Sequence, residues 1–378
     1  MGGAGSRLVS VVQDALEAGL DVMKNEPSLK AKIGLREIAQ AANVSIATAS
    51  RVLKGNTRVA PEIRKAVLEA AKNLGIDPSQ RNKSKTLAFV LSNRAMLHVF
   101  HSRILSGAET YCAARGWDIV FLSFHYSPQA PWTELHLPRV IQRQDVVRGV
   151  ILSGTNSTNL TRLLTERGIQ FVVFGNNLIG DQDIDKYDTV FADDMQGSED
   201  ATRNLIGLGH RNIWFVGNTG LPWFARCFEG YRRAMEASGL IPRESSTESE
   251  DETESGYLGT KSLLARDESV TAIVAGNDQC AHGVYKALRD RGLKVPNDIS
   301  VVGCDDTVGS WLSPALSTTR EFPELIGKQM VELALNRIAD PGHPPQRVTV
   351  PTEFIKRDSC RPLTSSPGKN LEPVAITA

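Results

Sequence analysis

Nine consecutive residues, Ser45-Ile46-Ala47-Thr48-Ala49-Ser50-Arg51-Val52-Leu53, combine two chemistries on what their spacing makes a short helix. Ala49, Val52 and Leu53 supply an inner apolar face, and Ile46, Ala47, Ser50 and Arg51 fall on the side away from it. Such a helix fits the major groove of DNA. Small side chains permit close approach, an arginine can read guanine, and an isoleucine can touch a thymine methyl. Lys54, Asn56, Thr57 and Arg58 follow as phosphate clamps, which set register without reading sequence. The expected DNA-binding set is therefore Ser45, Ile46, Ala47, Thr48, Ser50, Arg51, Lys54, Asn56 and Arg58, joined further on by Arg81.

Three short helices must hold that surface. Leu35, Ile38, Ala39 and Ala42 share a face of the first helix, and Ile63, Val67, Ala70, Ala71 and Leu74 share a face of the third. Each is too short to stand alone, so they must bury one common core. The corner Ala42-Asn43-Val44-Ser45 suits a tight helix-to-helix turn. Asn43 tolerates the left-handed conformation, Val44 points back into the core, and Ser45 caps the next helix. Pro61 and Glu62 mark the start of the third helix. Charge agrees with a polyanion partner: from Lys30 to Lys85 there are twelve Lys/Arg against four Asp/Glu, in a chain whose formal net charge is zero. Part of the compensation lies in Glu244 to Glu254, a run with six acids and no base, which reads as a solvated surface loop.

Beyond Thr86 short apolar runs alternate with amphipathic stretches, the pattern of parallel β/α units. TLAFVLS, IVFLS, GVILSG, FVVFGN, TVFAD, NIWFVGN, AIVAGN and SVVGCDD are the strands expected. Most end in a polar residue: Ser92, Ser123, Ser153, Asn176, Asn218, Asn277 or Asp305. Ligands of open parallel sheets bind at the carboxyl ends of strands, so these ends converge on a polar small-molecule cleft, although any one of them taken singly is a helix cap. With 378 residues, 41% hydrophobic and 23% charged, the chain has ordinary globular composition and enough length for two or three domains. The five cysteines are scattered, odd in number and without paired spacing, which excludes a zinc or redox motif and points to reduced thiols. Neither a triad nor a Gly-x-Gly-x-x-Gly after a strand is present, so no catalytic residue, cofactor or metal is expected. His98, Phe100 and His101, just after the first strand, either reach the ligand or pack, with packing the expected role, and without a cysteine or spaced carboxylate they are not expected to hold a metal. With no membrane-spanning apolar run and no export signal, the expected compartment is the cytoplasm.

The segment LREIAQAANVSIATASRVLKGNTRVAPEIRKAVLEAAKNLG resembles the helix-turn-helix of the lactose/galactose repressor (LacI-type) family. HRNIWFVG, FARCFEGYRRAM, AIVAGNDQCAHG and LKVPNDISVVGCDD are similar to that family's effector-binding domain. The resemblance implies an α/β protein: an all-α helix-turn-helix head joined to a two-lobed, periplasmic-binding-protein-like domain of two parallel, Rossmann-like β/α subdomains. It implies a DNA-binding regulator of the repressor kind, acting as a homodimer on double-stranded operator DNA and controlled by a small polar, sugar-like metabolite. Arg226 aligns with an arginine used on effector hydroxyls or carboxylates. Asn176, Asn277 and Asp305 align with hydrogen-bonding positions, Phe191 and Phe322 with apolar walls, and Ser92 joins them at its strand end. Trp223 either stacks on a sugar face or closes the domain edge. A solute receptor whose head has lost DNA function is the alternative.

The implied boundaries are an amino-terminal extension at 1–32, the head at 33–75, a basic linker at 76–85, the sensor at 86–363 and a tail at 364–378. Lobe crossovers are expected near 191–194, 318–322 and 339–344. The linker is shorter than the family's and lacks its leucine wedge, so Arg81, Lys83 and Lys85 either track phosphates or belong to a flexible connection. Gly34 and Ala60 stand at helix starts where a capping side chain is expected. In the extension, Leu8, Val11, Val12, Ala15, Leu16, Leu20 and Met23 have helical spacing, which suits either a partner contact or a loosely held appendage.

Overall fold

The structure is a computed structural model and describes residues 34–53, 59–74, 84–96, 98–180 and 184–363. It falls into two compact units divided between Lys83 and Ser84. The extension, the clamp residues Lys54, Asn56 and Arg58, most of the linker including Arg81, and the tail lie outside the described residues.

The head consists of α1 (Leu35–Ala41), α2 (Ile46–Leu53) and α3 (Pro61–Asn73). Ile38, Ala39, Ala49, Val52, Leu53, Val67 and Ala71 form its buried core, closed by Leu35, Ala42, Val44, Val59 and Leu74. Asn43 adopts φ of 50°, which turns the chain so that Val44 N donates to Ala39 O at 2.9 Å. Ser45 Oγ accepts from Thr48 N at 3.0 Å and caps α2. At the first helix Gly34 offers no side chain, but Glu37 Oε2 accepts from Gly34 N at 2.6 Å, half of a capping box. Ala60 gives α3 no side-chain cap. Ile63, expected inside, is exposed, because α3 turns Val67, Ala70 and Ala71 inward instead.

In the second unit, besides a small two-stranded pair of Asn156–Ser157 with Leu178–Ile179, the strands are β1 (Thr86–Ser92), β2 (Asp118–Phe124), β3 (Gly149–Gly154), β4 (Phe171–Phe174), β5 (Asp188–Ala192), β6 (Ile213–Val216), β7 (Glu244–Ser245), β8 (Ala272–Ala275), β9 (Ser300–Asp305), β10 (Ser317–Arg320), β11 (Arg347–Val350) and β12 (Glu353–Ile355), and these twelve are the ones that build the lobes. They form two six-stranded sheets. The first has the order β11-β5-β4-β3-β1-β2 and is parallel throughout. The second has the order β12-β10-β9-β8-β6-β7 and is parallel except for β12. Helices α4 (Val99–Ala113), α5 (Thr158–Glu166) and α10 (Pro323–Ala339) cover the first sheet. Helices α6 (Asp194–Gly207), α7 (Pro222–Ala237), α8 (Glu252–Arg266) and α9 (Asp278–Asp290) cover the second. Cover on both faces explains why β1 is buried at all seven positions and why its middle, Leu87 to Leu91, is continuously apolar.

The chain leaves the first lobe between Ala192 and Asp194, returns between Arg320 and Pro323, and leaves again between Val350 and Glu353. The third passage therefore lies beyond the expected 339–344. Arg347–Val350 first adds an edge strand to β5, and Asp188 holds the approach by accepting from Arg337 Nε at 2.8 Å and Gln346 N at 2.8 Å. Helix α10, the returning segment, crosses α4 in backbone contact: a Cβ on Gly107 would meet Glu324 O at 2.0 Å. The acidic run is a surface loop at 246–251, with Glu244, Glu248, Glu250, Asp251 and Glu254 exposed, but its two ends are structured. Glu244 and Ser245 are β7, Asp251 Oδ1 caps α8 by accepting from Glu254 N at 2.7 Å, and Glu252 is buried.

Candidate nucleic-acid interface and effector cleft

On the head, the face of α2 opposite Ala49 and Val52 is open. Ile46 is 46% exposed, Ser45, Ala47 and Arg51 are exposed, and Thr48 and Ser50 are half-buried. Ile46, Ala47 and Arg51 therefore share one open surface of the helix. Ser45 and Thr48 are tied to each other, Oγ to Oγ1 at 2.8 Å, so both hydroxyls are fixed where the helix begins.

In the body, the carboxyl ends of the two sheets face each other across a narrow cavity of about 40 Å³. Of the eight expected effector residues, Asn176, Trp223, Asn277 and Asp305 line it. Asn277 works in two directions: Oδ1 caps α9 by accepting from Cys280 N at 2.8 Å, and Nδ2 donates to Glu252 Oε2 at 2.7 Å. Asp305 ends β9 at φ of 91°, and its Oδ1 accepts from Thr307 N and Thr307 Oγ1 at 2.9 and 2.6 Å. Burial, with Asp278 nearby, pushes its carboxyl well above the usual range. A residue held in that backbone region away from glycine marks a position the fold keeps at a cost. Asn176 bonds the backbone of Ala192 with both amide ends, at 3.0 and 2.9 Å, so it clamps the first crossover while lining the cavity.

Arg226 stands beside the cavity and grips Asp194, with Nε 2.8 Å from Oδ1 and Nη2 2.7 Å from the same oxygen. Ser92, Phe191 and Phe322 do not line it. Ser92 ends β1 inside the sheet with its Oγ wholly buried, and the left-handed Asn93 turns the next residue, Arg94, into the cleft instead. Phe191 lies under Gly175, where a Cβ would come within 2.2 Å of its ring. Phe322 is half-buried at the start of α10, with φ of 53°.

Sequence reasoning missed Arg94, Asn177, Glu252 and Glu321, and gave His98, Phe100 and His101 a reach toward the ligand only as the alternative to packing. Arg94 and His98 from the first lobe approach Glu252 from the second, at 3.0 and 3.5 Å. Burial alone would raise the Glu252 carboxyl, but His98, Arg94 and the Asn277 amide hold it down at about 2. His101, expected to pack, lines the cavity with Nδ1 2.9 Å from Ser153 Oγ; burial, then His98 and Arg94, lowers its pKa well below the ordinary value and keeps it neutral. Glu321, in the second crossover, is pushed up to about 8 by burial and by Asp194. Only polar strand ends were legible as signals; Arg94 sits two residues past one, and Glu252 is one acid among six. The cavity thus offers His98, Asn177 and the carboxyl groups of Asp305 and Glu321 for hydrogen bonding around the flat face of Trp223, with Arg94 already paired to Glu252. That mixture suits a polyhydroxylated or similarly polar ring once the lobes part, since the cavity as it stands has room for only a few waters. Among the described residues no group of three or more His, Cys, Asp or Glu could hold a metal ion, and all five cysteines are free.

Residues 34–79 match the family model for bacterial regulatory proteins of the lacI family, and residues 202–360 match the periplasmic binding protein-like domain. The chain is 31% identical over 296 residues to catabolite control protein A of Priestia megaterium, covering 76% of this chain and 86% of that one. It is 29% identical over 337 residues to the HTH-type transcriptional regulator CelR of Thermobifida fusca, covering 86% and 97%. Among solved structures it is similar to the transcriptional regulator CelR–cellobiose complex, with TM-score 0.64, 28% identity, and coverage of 87% of this chain and 100% of that one. The lac repressor dimer bound to operator and the anti-inducer ONPF shares the fold, with TM-score 0.63, 21% identity, and coverage of 88% and 100%.

Proposed function

The chain belongs to the lacI family of bacterial regulatory proteins, a DNA-binding transcription regulator controlled by a small-molecule effector, and from that premise we propose how its own residues divide the work. Two heads of a homodimer read the half-sites of a near-palindromic operator through Ile46, Ala47, Ser50 and Arg51 of α2. Ser45 and Thr48 fix the helix start against the backbone, and Lys54, Asn56, Arg58 and Arg81 hold phosphates. The protein is a cytoplasmic repressor. Its effector is a sugar-like polar metabolite held between the lobes by Trp223, Asn277, Asp305 and Arg226, as in relatives whose solved complexes contain cellobiose or ribose.

The observation that carries this reading is the conjunction of an exposed Ile46/Ala47/Arg51 face with a cleft whose donors and acceptors come from both lobes. An effector bound there has different contacts in open and closed lobes, which is the condition for it to shift an equilibrium. Three crossovers joining the lobes make a hinge, and dimerisation converts lobe closure into a change in head spacing. Footprinting on the chain's own upstream DNA, with and without metabolites chosen by thermal stabilisation across sugars, nucleosides and organic acids, tests both halves. A protected near-palindrome whose occupancy changes with a stabilising compound is the expected result. Folded protein that protects no site at modest salt would refute it.

A further inference from the structure

The mouth of the cleft is occupied by a side chain of the protein itself. Arg94 extends from the first lobe until its guanidinium lies 3.8 Å from the centroid of the Trp223 ring in the second. Its Nη2 donates to Glu252 Oε1 at 3.0 Å, and Asn277 Nδ2 holds the other oxygen at 2.7 Å. A flat, delocalised donor stacked on an aromatic face and paired with a carboxylate is the arrangement a bound polar ring would make there. Both charged groups are largely buried, 12% and 7% exposed, so neither is held by water in place of the other.

We propose that Arg94 is an internal competitor for the effector: it latches the lobes by filling the Trp223–Glu252 subsite, and an effector gains that subsite only by displacing it. This rests on the cleft being the effector site, as argued above. Selectivity follows from the displacement. Removing the arginine strands a buried carboxylate whose remaining partners are His98 and the Asn277 amide, so an incoming molecule must present donors to Glu252 as well as a face to Trp223. A molecule with a face but no donors is rejected. The latch also lowers apparent affinity, because only the unlatched fraction of the protein can bind.

The variants that test it are Arg94→Ala and the charge-balanced Arg94→Ala/Glu252→Gln, which removes the stranded carboxylate should the single change fail to fold. In the full chain without ligand, acrylamide quenching of the Trp223 fluorescence, taken as the difference from a Trp223→Phe background, should rise at least twofold when the latch is removed. Unchanged quenching in both variants overturns the latch. D-ribose and cellobiose are then titrated as probes against the parent and Arg94→Ala. Binding about tenfold tighter in the variant supports competition, whereas weaker or equal binding makes Arg94 an ordinary effector contact or a bystander and overturns it. Because the quenching needs no ligand, it decides the latch even if neither sugar binds, an outcome that would count against the sugar reading alone.

Discussion

Arg226 of α7 holds Asp194, the first residue of α6, through three contacts of 2.7 to 3.1 Å, and Asp194 is only 3% exposed. The pair therefore ties the helix that follows the first crossover to the helix beside the cavity. An arginine aligned with a family effector contact is here also a structural clamp, and the two roles must be separated before its effect on ligand binding is interpreted.

Arg226→Ala leaves a buried carboxylate without its cation, and removing one partner of a buried pair costs about 3–5 kcal/mol. Arg226→Ala/Asp194→Asn should recover most of that loss. Urea unfolding of both variants measures it. If the single variant were as stable as the parent, the clamp would have no energetic weight, and lost effector binding in Arg226→Ala would report recognition directly.

Glu321 gives a pH dependence with a definite sign. Its carboxyl titrates near 8 in the folded protein against an ordinary value of 4.5, so the fold holds its proton more tightly than the unfolded chain does. That contribution is complete below about 4.5 and disappears as pH rises through 8. Glu321→Gln imitates the protonated form, so it should match the parent near pH 5 and unfold at higher temperature near pH 9. A gain of about 2–4 °C is expected for each kcal/mol. Thermal unfolding across pH 5–9 checks it; an offset constant with pH would mean that Glu321 does not titrate in this range.

The head offers a test of local propensity against tertiary packing. Ala60 precedes α3 in extended backbone, φ −51° and ψ 140°, is exposed, and caps nothing. Ala60→Ser supplies an acceptor for the free N–H groups of the first turn and should stabilise the head by about 1 kcal/mol. The amides of Glu62 and Ile63 should exchange more slowly in the variant. No slowing would mean that the first turn of α3 is already satisfied or frayed.

What the sequence revealed and what it hid divide along a physical line. Ser45 capping α2, Asn43 in the left-handed turn and the burial of β1 are consequences of neighbours in the chain, so spacing alone predicted them. Asn277 and Asp305 were found because a strand end points its last polar residue at the cleft. Arg94 and Glu252 are 158 residues apart, and their meeting depends on how two separately folded sheets face each other. No periodicity carries that information. Asn176 carries a second role that the strand-end rule does not announce: it lines the cavity, and its amide also bonds both backbone groups of Ala192, a partner in the adjacent strand. The misplaced third crossover has the same origin, since an edge strand as short as Arg347–Val350 is specified by pairing with β5 more than by its own pattern.

Arg51 carries the sharpest prediction about recognition. It is exposed in the last turn of α2, on the face with Ile46 and Ala47, while Val52 and Leu53 anchor the same turn in the core. A guanidinium that pairs with the O6 and N7 of a guanine discriminates by about 1–3 kcal/mol, whereas one on a phosphate contributes equally to every sequence. Arg51→Ala should therefore weaken the operator complex by roughly ten- to a hundredfold and bring it toward the affinity for unrelated DNA, with head stability unchanged because the side chain is outside the core. Titrations of operator and scrambled duplex at two salt concentrations separate the alternatives. Equal losses on both duplexes, together with a salt dependence shallower by about one ion, would reassign Arg51 to the phosphate backbone and leave Ile46, Ala47 and Ser50 to read the bases.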